Sequence, residues 1–483
     1  DYRQGISYRV QMSPLSQGLL MVWGFVEPMK DAVRDRIETF TDSDASLQTR
    51  LKQVYHVPVL LALIGFMLAV RLREMDTFTR GGEIYFRGND PWYHFRETSY
   101  LLEHFPSTMP FDVMTNYPDG TAVGQFGTLY DQVVAGFILL TSLGEPSQQY
   151  ASTVMLVAAP VFLTATVIPA YLIAARFAGR KPALVGTAVF ALLPGTVINY
   201  SLVGFYDHSA AEVLFQTLGV AAFIGALTVA EREQPVWELV VDRDTEALRR
   251  PLLYSTGAGI AAALYMWAWP PGVLLIGFTG IFFAIKLTSE VYHGYSPEPI
   301  AFVGTVSMAV AGLLMLLPLQ YLDFGSVTEF SMQQVVLSLG VAAGCVFLAV
   351  LARQWEAREL DESRYPVAVG GILLALAILF RDFSQNLISS VLNRIGFSTG
   401  AQGRTVGEIQ PFLASGGNFD VIYSEYRLTF FTALLAALVF LARPLITSDD
   451  TRETGYVVAA LGTVGILLLG TPFAKSVAGL LGM

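Results

Sequence analysis

Charged residues are scarce in this chain of 483 residues. Asp, Glu, Lys and Arg make up 14% of it, whereas 53% of the residues are hydrophobic and the mean hydropathy is +0.51. Soluble domains usually contain about 25% charged residues, so the composition argues against a soluble enzyme. It predicts an all-α polytopic protein that passes through the cell membrane many times.

Lysine is scarcer still. Five of the 30 basic residues are lysines, and the formal net charge is −10. Acidic, lysine-poor surfaces suit high salt, in which repulsion between carboxylates is screened, and we therefore predict a halophilic source. The charge pattern contains no basic patch of the kind that binds nucleic acid, so no nucleic-acid partner is expected.

Only one cysteine is present, Cys345, in the apolar run 344–348. A single cysteine excludes an internal disulfide and a Cys-based zinc site, and we predict that it packs as a small buried apolar side chain. The N-terminus lacks the charged-then-apolar pattern of a cleavable targeting peptide, so none is expected.

Long apolar segments are abundant. A helix needs about 20 apolar residues to cross a bilayer. The candidate spans are 55–72, 150–175, 183–200, 210–230, 252–269, 271–288, 299–320, 333–352, 365–380, 428–443 and 454–471. We expect a cytoplasmic leader over 1–54, a multi-span transmembrane domain over 55–471, and a truncated tail or the start of a further span over 472–483.

The Lys and Arg residues of short loops predict the orientation of the spans. They place 176–181, 232–250 and 353–364 on the cytoplasmic side, and the first span then runs outward.

The segment 127–143 does not fit this pattern as a full span, because counting it as one would move 176–181 outside. It is short and contains Asp131 and Gln132. We therefore predict a re-entrant or interfacial helix within one long outer loop, 73–149.

Three acidic residues then emerge together on the outer side. Asp90 lies in loop 73–149, Asp207 lies before a span, and Glu408 lies in a second long outer loop, 381–427. Ionisable groups at membrane boundaries are costly, which makes them functional candidates. Because they share one face, we predict that they form one site.

Each motif also has a plain structural interpretation. Asp90 and Pro91 are favoured at a helix start, so the pair could simply begin a helix over 92–105. Taken singly, Asp207 and Glu408 could be solvated loop charges.

The next span offers its own helix cap. Ser209 and Glu212 match a capping box, with Ser209 as the cap and Glu212 reaching back. This arrangement would leave Asp207 and His208 free just outside the helix. A carboxylate beside an imidazole can supply ligands for a metal ion.

The three motifs resemble those of the catalytic subunit of N-linked oligosaccharyltransferase, in its archaeal single-subunit AglB type. The matching segments are Gly88-Asn89-Asp90 for the Gly-x-Asp motif, Asp207-His208-Ser209 for the Asp-x-Asp-like motif, and Thr405-Val406-Gly407-Glu408 for the Thr-Ile-x-Glu-like motif. Motif order, spacing and loop placement carry the resemblance over about 55–471. It implies a GT-C type transmembrane fold.

Two departures from the family pattern matter. Ser209 stands where the family usually has an Asp, Glu or His metal ligand, so water or His208 would have to complete the coordination, or metal binding would be weaker. The family reads its acceptor with a Trp-Trp-Asp-Tyr-Gly motif in a soluble C-terminal domain. This chain has no Trp-Trp pair, and we expect that domain to be absent from it.

The resemblance implies transfer of a glycan from a dolichol-phosphate-type lipid donor to Asn of Asn-x-Ser/Thr in acceptor proteins, at the extracellular face. Asp90 and Glu408 are the catalytic candidates, because carboxylates that accept the amide N–H groups could twist the amide and free its nitrogen lone pair. Mn²⁺ or Mg²⁺ would offset charge on the lipid phosphate. Asp90, Asp207 and Glu408 would hold the ion, with His208 as a further ligand.

The resemblance and loop position also imply substrate contacts. Arg404 and Arg427 would contact phosphate, and Val406 would lie against the acceptor backbone. Trp92 and His94, which follow Asp90, are further substrate-binding candidates.

Three other interpretations stay open. Another lipid-phosphate-sugar GT-C glycosyltransferase would share the outer acidic loop but would not need the motif that ends at Glu408. A transporter would place its polar groups near the bilayer midplane. An inactive truncated relative would keep the motifs without the activity.

Overall fold

The computed structural model describes residues 54–193, 196–232, 236–322, 324, 329–379, 381, 428, 432 and 435. The chain divides into two compact units, Asp1–Val59 and Leu60–Met483. The functional residues described below all belong to the second unit.

The described residues are mostly helical. The α-helices are α1 His56–Leu72, α2 Asp90–His104, α3 Leu129–Thr141, α4 Gln148–Ala165, α5 Val167–Ala178, α6 Arg180–Ala191, α7 Thr196–Asn199, α8 Ser209–Arg232, α9 Val236–Val241, α10 Thr245–Ala268, α11 Val273–Tyr292, α12 Glu298–Leu314, α13 Met332–Glu356 and α14 Tyr365–Leu379.

Four short strands depart from the all-α prediction. Strands β1 Thr79–Arg80 and β2 Glu83–Ile84 form one antiparallel pair, and β3 Phe111–Asp112 and β4 Thr121–Ala122 form a second. All four lie within the predicted outer loop 73–149, where each pair joins two short segments of that loop. The helical architecture is unchanged.

Several predicted spans are confirmed as apolar helices. Among the described residues, four helical segments are long and apolar enough to cross a membrane: Gln148–Ala178, Ser209–Glu231, Pro270–Tyr292 and Met332–Glu356. Helices α1, α3 and α12 are apolar but shorter. The predicted spans 428–443 and 454–471 lie outside the described residues, apart from the isolated positions given above.

The predicted span 183–200 is wrong in extent. Helix α6 already begins at Arg180 and ends at Ala191, where the backbone N–H of Leu193 bonds back to the carbonyl of Phe190 in a tight turn. The sequence continues with Pro194, and the residue before a proline is disfavoured in the α conformation. Hydropathy alone does not register this break.

The segment 127–143 does form a helix, α3, of 13 residues. At about 1.5 Å per residue such a helix is roughly 20 Å long, shorter than the hydrocarbon core of about 30 Å. Its residues Val134 and Ile138 are buried in a cluster with Phe95 and Leu102 of α2. The re-entrant or interfacial placement itself stays a prediction.

Small residues allow the long helices to approach closely. A Cβ on Gly259 of α10 would lie 2.4 Å from the carbonyl oxygen of Ser307 on α12, and one on Gly304 would lie 2.5 Å from Sγ of Cys345 on α13. Close backbone approach at small residues is the usual packing of membrane helices. Cys345 is buried, as predicted.

Candidate metal centre

Helix α2 carries the first motif. It begins at Asp90, with Pro91 next, because the fixed φ of proline suits the first helical turn. The Phe86 ring lies 5.2 Å from that of Trp92, which packs this start of the helix against the protein core. His94, one turn after Asp90, is therefore 3% exposed, whereas Asp90 itself is exposed.

The second motif follows a tightly held loop. Nε of Arg71 donates to Oγ of Ser201 at 2.9 Å, and Nη1 donates to the carbonyl of Ala191 at 3.1 Å. Gly204 has a φ of +90°, and a Cβ there would lie 2.5 Å from the Phe78 ring, so this turn requires glycine. The loop therefore brings the residues that follow it to α2 in a defined position.

Asp207 is not free, contrary to the capping-box prediction. Its Oδ1 accepts hydrogen bonds from the backbone N–H of Ser209 at 2.7 Å and from Ser209 Oγ at 2.6 Å. Asp207 thus binds the first residue of α8, in the manner of an Asx turn, and Ser209 is the donor. Burial raises the pKa of Asp207, but His208, His94 and the bonds from Ser209 outweigh it, and the pKa lies below its ordinary value.

Three side chains from these two segments converge. Nε2 of His94 lies 3.1 Å from Nδ1 of His208, which lies 3.4 Å from Oδ1 of Asp207. One ligand atom from each residue lies within 4.8 Å of the others. An ion about 2.1 Å from each ligand needs neighbouring ligand atoms roughly 3.0 to 3.4 Å apart. The separations of His94 from His208 and of His208 from Asp207 match this spacing, so the cluster is a candidate metal site.

A buried carboxylate supports this cluster from α3. Nδ1 of His94 lies 2.9 Å and 3.1 Å from the two carboxylate oxygens of Asp131. Thr98 Oγ1 donates to Asp131 at 3.1 Å and lies 2.6 Å from the hydroxyl of Tyr206. Burial lowers the pKa of His94, but the charge and hydrogen bond of Asp131, with the charges of Asp207 and Asp90, raise it to about 9.

A second carboxyl group, Glu97, lies one turn further along α2. It is fully buried, and its Oε1 accepts from the backbone N–H of Met109 at 3.1 Å. Burial, together with the charge of Asp131, raises the pKa of Glu97 to about 8. Glu97 is therefore largely neutral at pH 7 and ties α2 to the chain that follows it.

A third carboxylate, Asp112, fixes the loop after α2. Arg96 donates to both of its oxygens, at 3.0 Å and 2.5 Å, and Thr115 Oγ1 donates at 2.6 Å. Burial raises the pKa of Asp112, but the bonds from Arg96, Thr115 and Met114 prevail and lower it to about 2.

The structure brings together only part of the predicted site. Asp207 and His208 are in the cluster, and His94, a predicted substrate contact, joins them. Asp90 lies outside this group, and its role as a ligand stays a prediction. Trp92, a predicted substrate contact, is 37% exposed, and its role also stays a prediction.

Four predicted site residues lie outside the described residues. They are Arg404, Val406, Glu408 and Arg427. Their roles therefore stay predictions.

Sequence reasoning missed Asp131 as a site residue. Its signal was a single carboxylate in an otherwise apolar helix, which served only to argue that 127–143 is not a full span. Its partner, His94, is 37 residues away in the sequence, and no spacing rule joins them.

The comparisons with known proteins identify the family. Residues 60–358 match the model of "Oligosaccharyl transferase STT3, N-terminal". The chain belongs to the STT3 family. The predicted resemblance is confirmed.

Two curated relatives come from Haloferax volcanii and Archaeoglobus fulgidus. The chain is 47% identical over 440 residues to the dolichyl-monophosphooligosaccharide–protein glycotransferase AglB of Haloferax volcanii, covering 89% of this chain and 42% of that protein. It is 25% identical over 406 residues to the dolichyl-phosphooligosaccharide-protein glycotransferase 3 of Archaeoglobus fulgidus, covering 80% and 44%. The chain thus spans less than half the length of both relatives.

Solved structures of the Archaeoglobus fulgidus oligosaccharyltransferase share the fold. AglB in complex with an inhibitory peptide and a dolichol-phosphate has a TM-score of 0.73 at 19% identity, covering 89% of this chain and 50% of that one. The complex with Zn and sulfate has a TM-score of 0.62 at 18% identity, covering 88% and 53%. The match supports the predicted GT-C type of transmembrane fold.

Proposed function

We propose that this chain forms the membrane-embedded catalytic part of an oligosaccharyltransferase. It would transfer a glycan from a dolichol-phosphate-type lipid to Asn of Asn-x-Ser/Thr in acceptor proteins, at the outer face of the membrane. The observation that carries the proposal is the convergence of His94, Asp207 and His208 from two separate motifs of an STT3 chain. The curated relatives are glycotransferases of this kind, which favours the proposal over a transporter or another GT-C enzyme.

The metal supplies charge compensation when it is bound. A divalent ion stabilises negative charge that develops on a phosphate leaving group. His94, Asp207 and His208 would hold it, and Asp90 and Glu408 are proposed to complete the set. We propose Mn²⁺ or Mg²⁺ as the ion.

The acceptor amide is the harder substrate, because its nitrogen lone pair is delocalised into the carbonyl. Asp90 is exposed at the first residue of α2, where its carboxylate can accept an N–H of the acceptor side chain. Glu408 would accept the second N–H. Together they would hold the amide out of conjugation while its nitrogen attacks the anomeric carbon of the sugar. The bond from that carbon to the lipid phosphate would break, the phosphate would leave with the electron pair, and one of the two carboxylates would take the proton lost from nitrogen.

Metal-dependent transfer by the natural full-length protein tests the proposal. A dolichol-phosphate-linked glycan and an Asn-x-Thr peptide should give glycopeptide, detected by mass spectrometry. EDTA should abolish the product, and added Mn²⁺ or Mg²⁺ should restore it. Undiminished transfer in excess EDTA would contradict the metal, and transfer to Ser instead of Asn would contradict the reaction.

A matched pair of substitutions tests the site. Asp207→Asn should abolish transfer, whereas Asp119→Asn should leave it unchanged, because Asp119 is an exposed aspartate of the predicted outer loop 73–149 and lies outside the cluster. Equal activity of the two variants would show that the cluster is not the site of the reaction.

A further inference from the structure

His94 uses both ring nitrogens in different directions. Nδ1 faces the two oxygens of Asp131, and Nε2 faces His208 and Asp207. We infer that His94 is a direct metal ligand and that Asp131 is the positioning residue that aims it. This inference rests on the proposed function only for the presence of a metal ion.

Asp131 is itself held in place. It is completely buried in the first turn of α3, and Thr98 donates to the same carboxylate that contacts His94. A carboxylate that accepts the Nδ1–H of a histidine keeps the proton on that nitrogen, so a metal ion that displaces the proton from Nε2 binds the lone pair there. Metal-binding histidines commonly have such a partner, which sets the ring orientation and raises the basicity of the ligand.

Ser209 directs both of its donors to Asp207. Its hydroxyl and its backbone N–H each donate to Oδ1 of that residue. His94 lies at the same cluster, with its Nε2 3.1 Å from Nδ1 of His208.

The inferred ligand set includes two imidazoles, those of His94 and His208. Imidazole ligands favour a first-row transition ion over Mg²⁺, which prefers oxygen ligands. We therefore use Mn²⁺, a transition ion that also accepts carboxylate ligands, as the probe and expect Mg²⁺ to bind more weakly.

Metal binding can be measured without turnover. In the full chain, free Mn²⁺ is titrated by electron paramagnetic resonance, and ¹⁴N couplings to the bound ion report coordinated imidazole. Asp131→Asn should weaken Mn²⁺ binding by about 10–100-fold, the usual effect of removing such a partner. His94→Ala should remove one of the two ¹⁴N couplings.

Glu97→Gln is the matched control. Glu97 is a buried carboxyl group one turn from His94, but it bonds to Met109 and is largely neutral at pH 7. The Glu97→Gln variant should bind Mn²⁺ with the same affinity as the parent protein. The thermal unfolding midpoints of the metal-free variants separate lost binding from lost folding, and the ¹⁴N spectrum of His94→Gln provides a second reading if His94→Ala unfolds.

Two results would overturn the inference: both ¹⁴N couplings persisting without His94, or unchanged Mn²⁺ affinity in Asp131→Asn. Either would leave the proposed transfer reaction standing. Conversely, a natural full-length protein that shows both couplings but transfers no glycan would overturn the proposed function alone.

Discussion

Two aspartates that look alike in the sequence have opposite surroundings in the structure. Asp207 is 4% exposed and accepts two hydrogen bonds from Ser209. Asp90 is exposed at the first residue of α2. A carboxylate that the fold already orients suits a metal ion, because productive geometry is set before binding, whereas an exposed carboxylate suits an arriving substrate.

Asp90 and Asp207 can belong to one site only if both motifs lie on the same face of the membrane. Cysteine labelling tests this, and we expect an all-or-none result. In a Cys345→Ala background, single cysteines at positions 90 and 208 should react with an impermeant maleimide applied to intact cells. Cysteines at 178 and 358 should react only after permeabilisation. Position 208 is used because the side chain of Asp207 is buried. External labelling of position 178 would make 127–143 a full span and separate the two motifs.

Asp207→Asn should have the largest effect among the substitutions. The variant keeps an oxygen that can accept the bonds from Ser209, so α8 should still start at the same residue, but the negative ligand is lost. We expect Mn²⁺ affinity to fall by more than about 100-fold, beyond the loss typical of a residue that only supports a ligand. Electron paramagnetic resonance titration checks this, with Asp119→Asn as the control. A fall of less than tenfold would place the ion elsewhere.

Asp90→Asn should separate the two roles. The rate of transfer should fall by about 100-fold, the scale of losing one transition-state hydrogen bond. Mn²⁺ affinity should fall much less than in Asp207→Asn, because Asp90 is exposed and the buried Asp207 stays in place. Single-turnover kinetics at saturating donor and peptide measure the rate. An equal loss of Mn²⁺ affinity in Asp90→Asn and Asp207→Asn would make Asp90 a metal ligand of the same standing.

Hydropathy predicted the long helices because length and apolar content are sufficient to identify them. The second motif also predicted that Asp207 and His208 lie together as candidate ligands, and they do share one cluster; their role as metal ligands stays a prediction. The end of α6 at Ala191 was missed because hydropathy scores an apolar run without regard to the proline at position 194 of the sequence. The contact of His94 with Asp131 was missed because it arises from the packing of α2 on α3, which neither segment specifies alone.

A third carboxylate, Asp112, tests whether burial by itself makes an aspartate functional. Like Asp207 it is buried, but Arg96 neutralises it, so its loss should affect stability and leave Mn²⁺ binding unchanged.

The fold lowers the pKa of Asp112 from 3.8 to about 2. At about 1.4 kcal/mol per pKa unit, this corresponds to about 2 kcal/mol of stability. Because the folded-state pKa is the lower one, the stabilisation is complete above pH about 4 and is lost as the pH falls toward 2. Thermal unfolding of the parent and Asp112→Asn should therefore differ most near neutral pH and converge in acid, with Asp119→Asn parallel to the parent throughout. A constant difference across this range would mean that the pair contributes through packing and not through charge.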